Sequence, residues 1–430
     1  MTGSTKRPSR FSAFALATIL TLGGWVAWDN WGRFLHTQTI SSAGAPADAQ
    51  TLAQGNYLAR IGGCVACHTT QGGDPLAGGR RIDTPFGAVY SSNLTPSKAQ
   101  GLGEWTIDDF EMALRWGRSR NGRLLLPVFP YNHTSALSVS DVQALFSWLQ
   151  TIQAVEQAPP PHRLAWPLGT QPAIAIWRSL YFKPSPFEAN PQASKEWNRG
   201  AYLVQSAGHC AACHGQRNAL GSFPAVDDLS GGFLSSQMWV APSLIDASQS
   251  MLAHSTLQDV SQLLRTGHAS TAGVSGPMAE FVQQTSQFLT PTDGLAIATY
   301  LKSKAHTPAV QPKSTHLASA TPDAQAIYKT HCASCHGDHG QGKANTYPAL
   351  ASNPAVVLAE PENLIQMTLY GGYGPSTEGR PRPYGMPPFL FTLNNQQIAE
   401  VLNLVRSQWG NQASAVSPMQ VDRVRAASYP

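Results

Sequence analysis

An all-α fold of three consecutive small domains behind an amino-terminal transmembrane helix is what this sequence of 430 residues predicts. Three observations predict it. All six cysteines fall in three C-x-x-C-H units, one order of helices recurs around each unit, and a basic segment followed by an apolar one opens the chain. The length suits about three ordinary domains.

The opening segment comes first. Lys6, Arg7 and Arg10 precede an apolar stretch from Phe11 to Trp28, about long enough to cross a bilayer, with Trp25, Trp28 and Trp31 gathered at its far end. Positive charges stay in the cytoplasm, which predicts a signal anchor over residues 1–35 and a body on the periplasmic side of a bacterial cytoplasmic membrane. A cleaved signal peptide would have an apolar core of about 7 to 15 residues followed closely by small residues. Here the small-residue stretch begins only at Ser41.

The motifs read Cys64-Val65-Ala66-Cys67-His68, Cys210-Ala211-Ala212-Cys213-His214 and Cys332-Ala333-Ser334-Cys335-His336. Two thiols three positions apart on one helical turn reach both vinyl groups of a haem as thioethers, and the adjacent histidine faces the iron. A redox dithiol would need no histidine, and a zinc site would need a consistent fourth ligand. Each unit is therefore expected to hold one covalent haem c, three in all.

A tyrosine-bearing helix precedes each motif, at Tyr57, Tyr202 and Tyr328. A middle helix follows, expected from Trp105 to Gly117, Thr256 to Gly267 and Glu362 to Gly371, each stopped by its glycine. An amphipathic helix closes each unit: Ser138 to Ile152, Thr290 to Ser303 and Asn394 to Trp409. Three such repeats imply three cytochrome c folds, each wrapping one haem, over residues 50–157, 195–303 and 319–411. Proline-rich and polar compositions mark 158–194 and 304–318 as linkers.

A low-spin haem needs a second axial ligand, expected from the loop before each closing helix. Met278, 64 residues past His214 and preceded by Gly276-Pro277, and Met386, 50 past His336 in Tyr384-Gly385-Met386-Pro387-Pro388, fit that place. Met238, Met251 and Met367 read as core filler. The first repeat has Phe129 where methionine is expected, so His133, 65 residues past His68, takes the role. The iron ligands are then His68 with His133, His214 with Met278, and His336 with Met386. Because a thioether raises the potential, the bis-histidine haem should have the lowest of the three. Arg115 and Arg265 hold matching places in the middle helices, where they either pair with haem propionates or face solvent.

Net charge is only +4 and no basic run accompanies aromatic platforms, which leaves a nucleic-acid role without support. No G-x-G-x-x-G fingerprint or spare cysteine suggests a substrate-oxidising site. A haem peroxidase would need one iron with an open position.

With Thr84-Pro85-Phe86-Gly87, Ser92-Asn93-Leu94-Thr95-Pro96, Asn198-Arg199-Gly200-Ala201-Tyr202, Leu264-Arg265-Thr266-Gly267-His268 and Gly276-Pro277-Met278-Ala279-Glu280 added, the chain resembles the triheme cytochrome c subunits of membrane-bound periplasmic dehydrogenases. Those enzymes oxidise alcohols, aldehydes, gluconate and related substrates. In its Phe129-to-His133 loop and amino-terminal anchor it is similar to cytochromes accompanying molybdenum-dependent aldehyde dehydrogenases. The cytochromes of alcohol (PQQ) and gluconate or polyol (flavin) dehydrogenases are the alternative. The resemblance implies a subunit that is not catalytic alone. It would take electrons from a catalytic subunit, directly or through an iron–sulfur subunit, and pass them to ubiquinone at the membrane.

Overall fold

The computed structural model describes residues 10–32, 47–222, 225–247, 249–250, 252, 255–269, 272–306, 319–344 and 346–427. Lys6, Arg7, residues 41–46, Met251 and the linker residues 307–318 lie outside them.

The first helix, α1 (Arg10–Ala27), has 18 residues. At 1.5 Å per residue it is about 27 Å long, short of a hydrocarbon core of about 30 Å, and Ser12, Thr18, Thr21 and two glycines dilute its apolar character. Among the described residues no helix is long and apolar enough to cross a membrane. The expected transmembrane anchor, and the membrane placement drawn from it, are corrected accordingly. The π-turn Trp28–Gly32 that follows α1 docks on the body instead. Asn30 there is buried, and its Nδ2 donates to the Ala175 carbonyl (3.1 Å) and the Ser179 Oγ (2.8 Å).

The first motif segment contains α2 (Ala49–Ile61), the motif turn α3 (Cys64–Cys67), β1 (Arg81–Thr84), β2 (Gly87–Tyr90), α4 (Ile107–Trp116), α5 (Tyr131–Thr134) and α6 (Val139–Leu149). The stretch marked as a linker contributes β3 (Arg163–Leu164), which extends an antiparallel sheet in the order β1-β2-β3, and α7 (Gln171–Tyr181). The second segment runs through α8 (Lys195–Gln205), α9 (Ala211–His214), β4 (Gly232–Leu234), β5 (Trp239–Ala241), α10 (Leu257–Thr266), α11 (Gly276–Gln284) and α12 (Pro291–Lys304). The third has α13 (Pro322–His331), α14 (Ala333–His336), α15 (Pro354–Val357), α16 (Glu362–Tyr370), β6 (Gly372–Tyr373), β7 (Gly385–Met386), α17 (Asn395–Ser407) and α18 (Pro418–Ala427). The short strands correct the all-α expectation: they are too brief for a periodic signal and are fixed by partners elsewhere in the chain.

Local sequence explains the helix ends. Thr106 with Asp109, Thr256 with Asp259 and Asn394 with Gln397 form reciprocal capping boxes at the starts of α4, α10 and α17. The stop glycines Gly117, Gly267 and Gly371 all have positive φ, a region glycine enters without a Cβ penalty.

Packing joins the first two segments. One continuous core runs from Leu58 through Leu145 and Leu203 to Leu301. The tyrosines of their opening helices reach across: Tyr57 on α2 donates to Asp293 on α12 (2.6 Å), and Tyr202 on α8 donates to Asp141 on α6 (2.5 Å). Each carboxylate is also held from its own segment, Asp141 by Gln54 and Asp293 by Arg199. The third segment builds separate cores around Ile365 and Val401. A two-way amide pair joins it to the second segment: Asn363 Nδ2 donates to the Val240 carbonyl and Val240 N–H to Asn363 Oδ1, both 2.7 Å.

Candidate functional site

Each C-x-x-C-H unit is one helical turn. The histidine N–H donates to the carbonyl of the first cysteine at 2.9 Å in all three, from His68 to Cys64, His214 to Cys210 and His336 to Cys332. That turn sets both thiols on one side, and none of the six cysteines is in a disulfide. Burial pushes the Cys64 and Cys210 thiols up to about 12, so they stand as neutral thiols.

The histidine rings share one orientation device. Their Nδ1 atoms lie 2.7 Å from the Ser92 carbonyl, 2.8 Å from that of Pro242 and 3.0 Å from that of Pro348, for His68, His214 and His336 in turn. A carbonyl only accepts, so Nδ1 carries the proton and Nε2 carries the lone pair. Burial lowers the pKa of all three rings and keeps them neutral, which is the form that ligates iron. The backbone after each histidine is also pinned alike: Gly78, Gly231 and Gly342 each donate to its carbonyl at 2.7 Å. Two thiols and an oriented neutral imidazole on one turn fit covalent haem at every motif.

The expected distal ligands occupy three different local structures. Met278 lies in the first turn of α11 rather than in a loop, and Met386 ends β7. A shared contact relates the two. Phe281, three residues past Met278, packs on His209, the residue before Cys210, with ring centroids 6.4 Å apart. Phe389, three past Met386, packs on His331, the residue before Cys332, at 5.7 Å. Each methionine segment is thereby tied to its own motif.

His133 is fully buried in α5. Its Nδ1 donates to the Gln205 carbonyl at 2.8 Å, so Nε2 carries the lone pair as in the other three rings. Burial first, then neighbouring His209, push its pKa down to about 3. Phe129 packs on the core and against the Tyr131 ring, and His162 is exposed and accepts a hydrogen bond from the Tyr90 N–H.

Arg178 on α7 was not legible in the sequence as part of this site. It is 2% exposed, donates to the Trp116 carbonyl at the end of α4 (2.6 Å) and to Asn30 (2.9 Å), and lies over the Tyr131 ring two residues before His133. It thus neutralises a helix C-terminus and fixes the start of the His133 turn. A lone arginine in the apolar pattern Ile174-Ala175-Ile176-Trp177-Arg178 was the available signal. Arg115 and Arg265 grip the backbone, through the Ser135 and Leu289 carbonyls at 3.0 Å.

Comparison with known proteins gives the chain its relatives. A family model described as cytochrome c matches residues 322–409. The chain is 36% identical over 404 residues to the cytochrome c subunit of an alcohol dehydrogenase (quinone) of Gluconacetobacter polyoxogenes, covering 89% of this chain and 86% of that protein. It is 37% identical over 381 residues to a gluconate 2-dehydrogenase cytochrome c subunit of Pantoea cypripedii, covering 84% and 86%. With a fructose dehydrogenase cytochrome subunit of Gluconobacter japonicus it shares 33% over 444 residues, covering 96% and 89%.

Two expectations change. The cytochrome c model fits only the third segment, and the first two share one core with strands, so three separate cytochrome c folds are not what the chain contains. The named enzymes act on alcohol, gluconate and fructose, which favours the alternative over the aldehyde dehydrogenase reading.

Proposed function

The chain belongs to the family of cytochrome c subunits of quinone-linked dehydrogenases, and from that premise we propose that it carries electrons out of a dehydrogenase acting on a hydroxyl-bearing substrate: an alcohol, a sugar or a sugar acid. The observation that carries the electron-transfer part of the reading is the threefold Nδ1–H to carbonyl bond of His68, His214 and His336, which leaves a lone pair on Nε2 of the histidine next to each thiol pair.

In this reading Cys64 with Cys67, Cys210 with Cys213 and Cys332 with Cys335 form thioethers to three haems. Each bound haem supplies an iron that cycles between ferric and ferrous states by one electron. His68, His214 and His336 would hold the irons through Nε2, and His133, Met278 and Met386 would supply the second protein ligand of each. The protein's part is to hold these ligands in fixed positions so that little rearranges when charge moves. The catalytic partner oxidises the substrate, and ubiquinone is the acceptor. The iron–sulfur subunit goes with the molybdenum aldehyde reading and is not carried over.

Affinity purification of the tagged chain from its host, with mass identification of attached subunits, tests this. A bound dehydrogenase whose substrate, alcohol or sugar acid, turns the cytochrome bands to their reduced form is the expected result. A complex whose only reductant is an aldehyde would overturn the proposed class.

A further inference from the structure

His209 stands in the second segment where the first segment has Gly63, each immediately before the first cysteine of its motif. Both have left-handed backbone, φ 70° at Gly63 and 36° at His209. Glycine takes that region freely, whereas a histidine there is strained and persists because its surroundings hold it. The surroundings are unusual. A Cβ at Gly63 would meet the His209 Nε2 at 3.6 Å, so a second-segment side chain fills the space that Gly63 leaves beside the first motif. Its ring centroid lies 6.3 Å from that of His133 and 6.4 Å from that of Phe281. In the third segment His331 makes the corresponding phenylalanine contact from within α13, with no positive φ and no second motif beside it.

We infer that His209 is the positioning residue that couples the first and second haem sites. It joins the peptide before Cys64, the ring of His133 and the peptide bonded to Cys210 into one packed unit. The inference rests on the haem reading above. One electron passes from the site at Cys64 and Cys67 to the site at Cys210 and Cys213. The first iron goes from ferrous to ferric and the second from ferric to ferrous, with no bond made or broken and no proton moved. The direction follows from the ligands, because a bis-histidine iron gives up its electron more readily than a histidine–methionine iron. The Gln205 carbonyl, which accepts from His133 Nδ1, strengthens the same join from α8. The ligand of the first site is therefore oriented by the second segment.

The test uses the full-length haem-loaded protein with His209→Gly and His209→Gln. Glycine relieves the backbone strain and removes the ring, while glutamine keeps an N–H donor. Haem mass and thermal unfolding are recorded beside flash-induced electron equilibration between the two sites and the low-spin spectrum of the His133 iron. The glycine variant should keep its haem complement and thermal stability yet equilibrate about 10-fold more slowly, the low end of the losses seen when the shell around a metal ligand is altered. Its low-spin signal should also broaden, and glutamine should recover part of both. Unchanged equilibration and an unchanged low-spin signal in both variants would overturn the coupling role and leave His209 as filler. Failure of the unmutated protein to carry haem at Cys64 or Cys210 would instead overturn the haem reading itself.

Discussion

Single carbonyl oxygens decide which ring nitrogen of each motif histidine, and of His133, carries the proton. The carbonyls of Ser92, Pro242 and Pro348 fix the tautomers of His68, His214 and His336, and Gln205 fixes that of His133. The three C-x-x-C-H units are legible because their order is local. The carbonyl partners lie 24, 28 and 12 residues away and carry no side-chain signature, though a leucine two residues on recurs each time, at Leu94, Leu244 and Leu350. Substituting His133→Ala should make one iron high-spin and open to carbon monoxide, while Phe129→Ala mainly loosens packing. Spectra of the reduced protein under carbon monoxide check this. Asp293 gives a pH prediction. Burial raises its carboxyl, but Arg199 and Tyr57 outweigh that and hold it below the ordinary value of 3.8. A group depressed in the folded state contributes stability above its unfolded pKa and loses it as pH falls through the folded one, so the Tyr57–Asp293 lock should weaken below about pH 4. Tyr57, pushed up to about 12 by burial and by Asp293, stays protonated and should begin to destabilise the fold only above about pH 10. Asp293→Asn should cost about 2 kcal/mol at neutral pH and flatten the acid limb of a urea-unfolding series.

Among the elements, the capped helices of the repeat announced themselves, whereas α7, in the stretch marked as a linker, α18 and the strands did not. Caps such as Thr106 and Thr256 and stop glycines such as Gly117 and Gly267 act within a few residues, so the chain displays them. By contrast β3 exists because Arg163 and Leu164 pair with Ala88 and Gly87 across the chain. Met278 belongs to α11, whose Gly276-Pro277 start reads as a loop until the turns that follow are seen. Helix crossing also depends on two glycines placed alike. A Cβ at Gly55 would stand 2.1 Å from the Ala144 carbonyl oxygen, and one at Gly200 would stand 2.0 Å from that of Ala296. Backbone cannot retreat cheaply, so Gly200→Ala should force α8 from α12 at a cost of about 1–3 kcal/mol. Thermal unfolding of that variant should show a midpoint several degrees lower, and an unchanged midpoint would mean that the crossing is slack.

At the scale of the whole molecule, proline-rich composition after Ala158 marked a break in the chain but not in the core. Leu58 and Leu301 belong to one apolar cluster, and Tyr57 and Tyr202 each reach into the other segment. The third segment keeps its own cores and meets the second through Asn363 and Val240. The cytochrome c model, residues 322–409, falls within this third segment. The central claim is that all three motifs, in the joined pair and in the third segment alike, hold a covalent haem. Intact mass of the denatured full-length protein tests it most directly. Three haem masses above the polypeptide, with one lost on replacing both cysteines of any single motif by alanine, is the result predicted here. Two haems or fewer on the fully matured protein would contradict it.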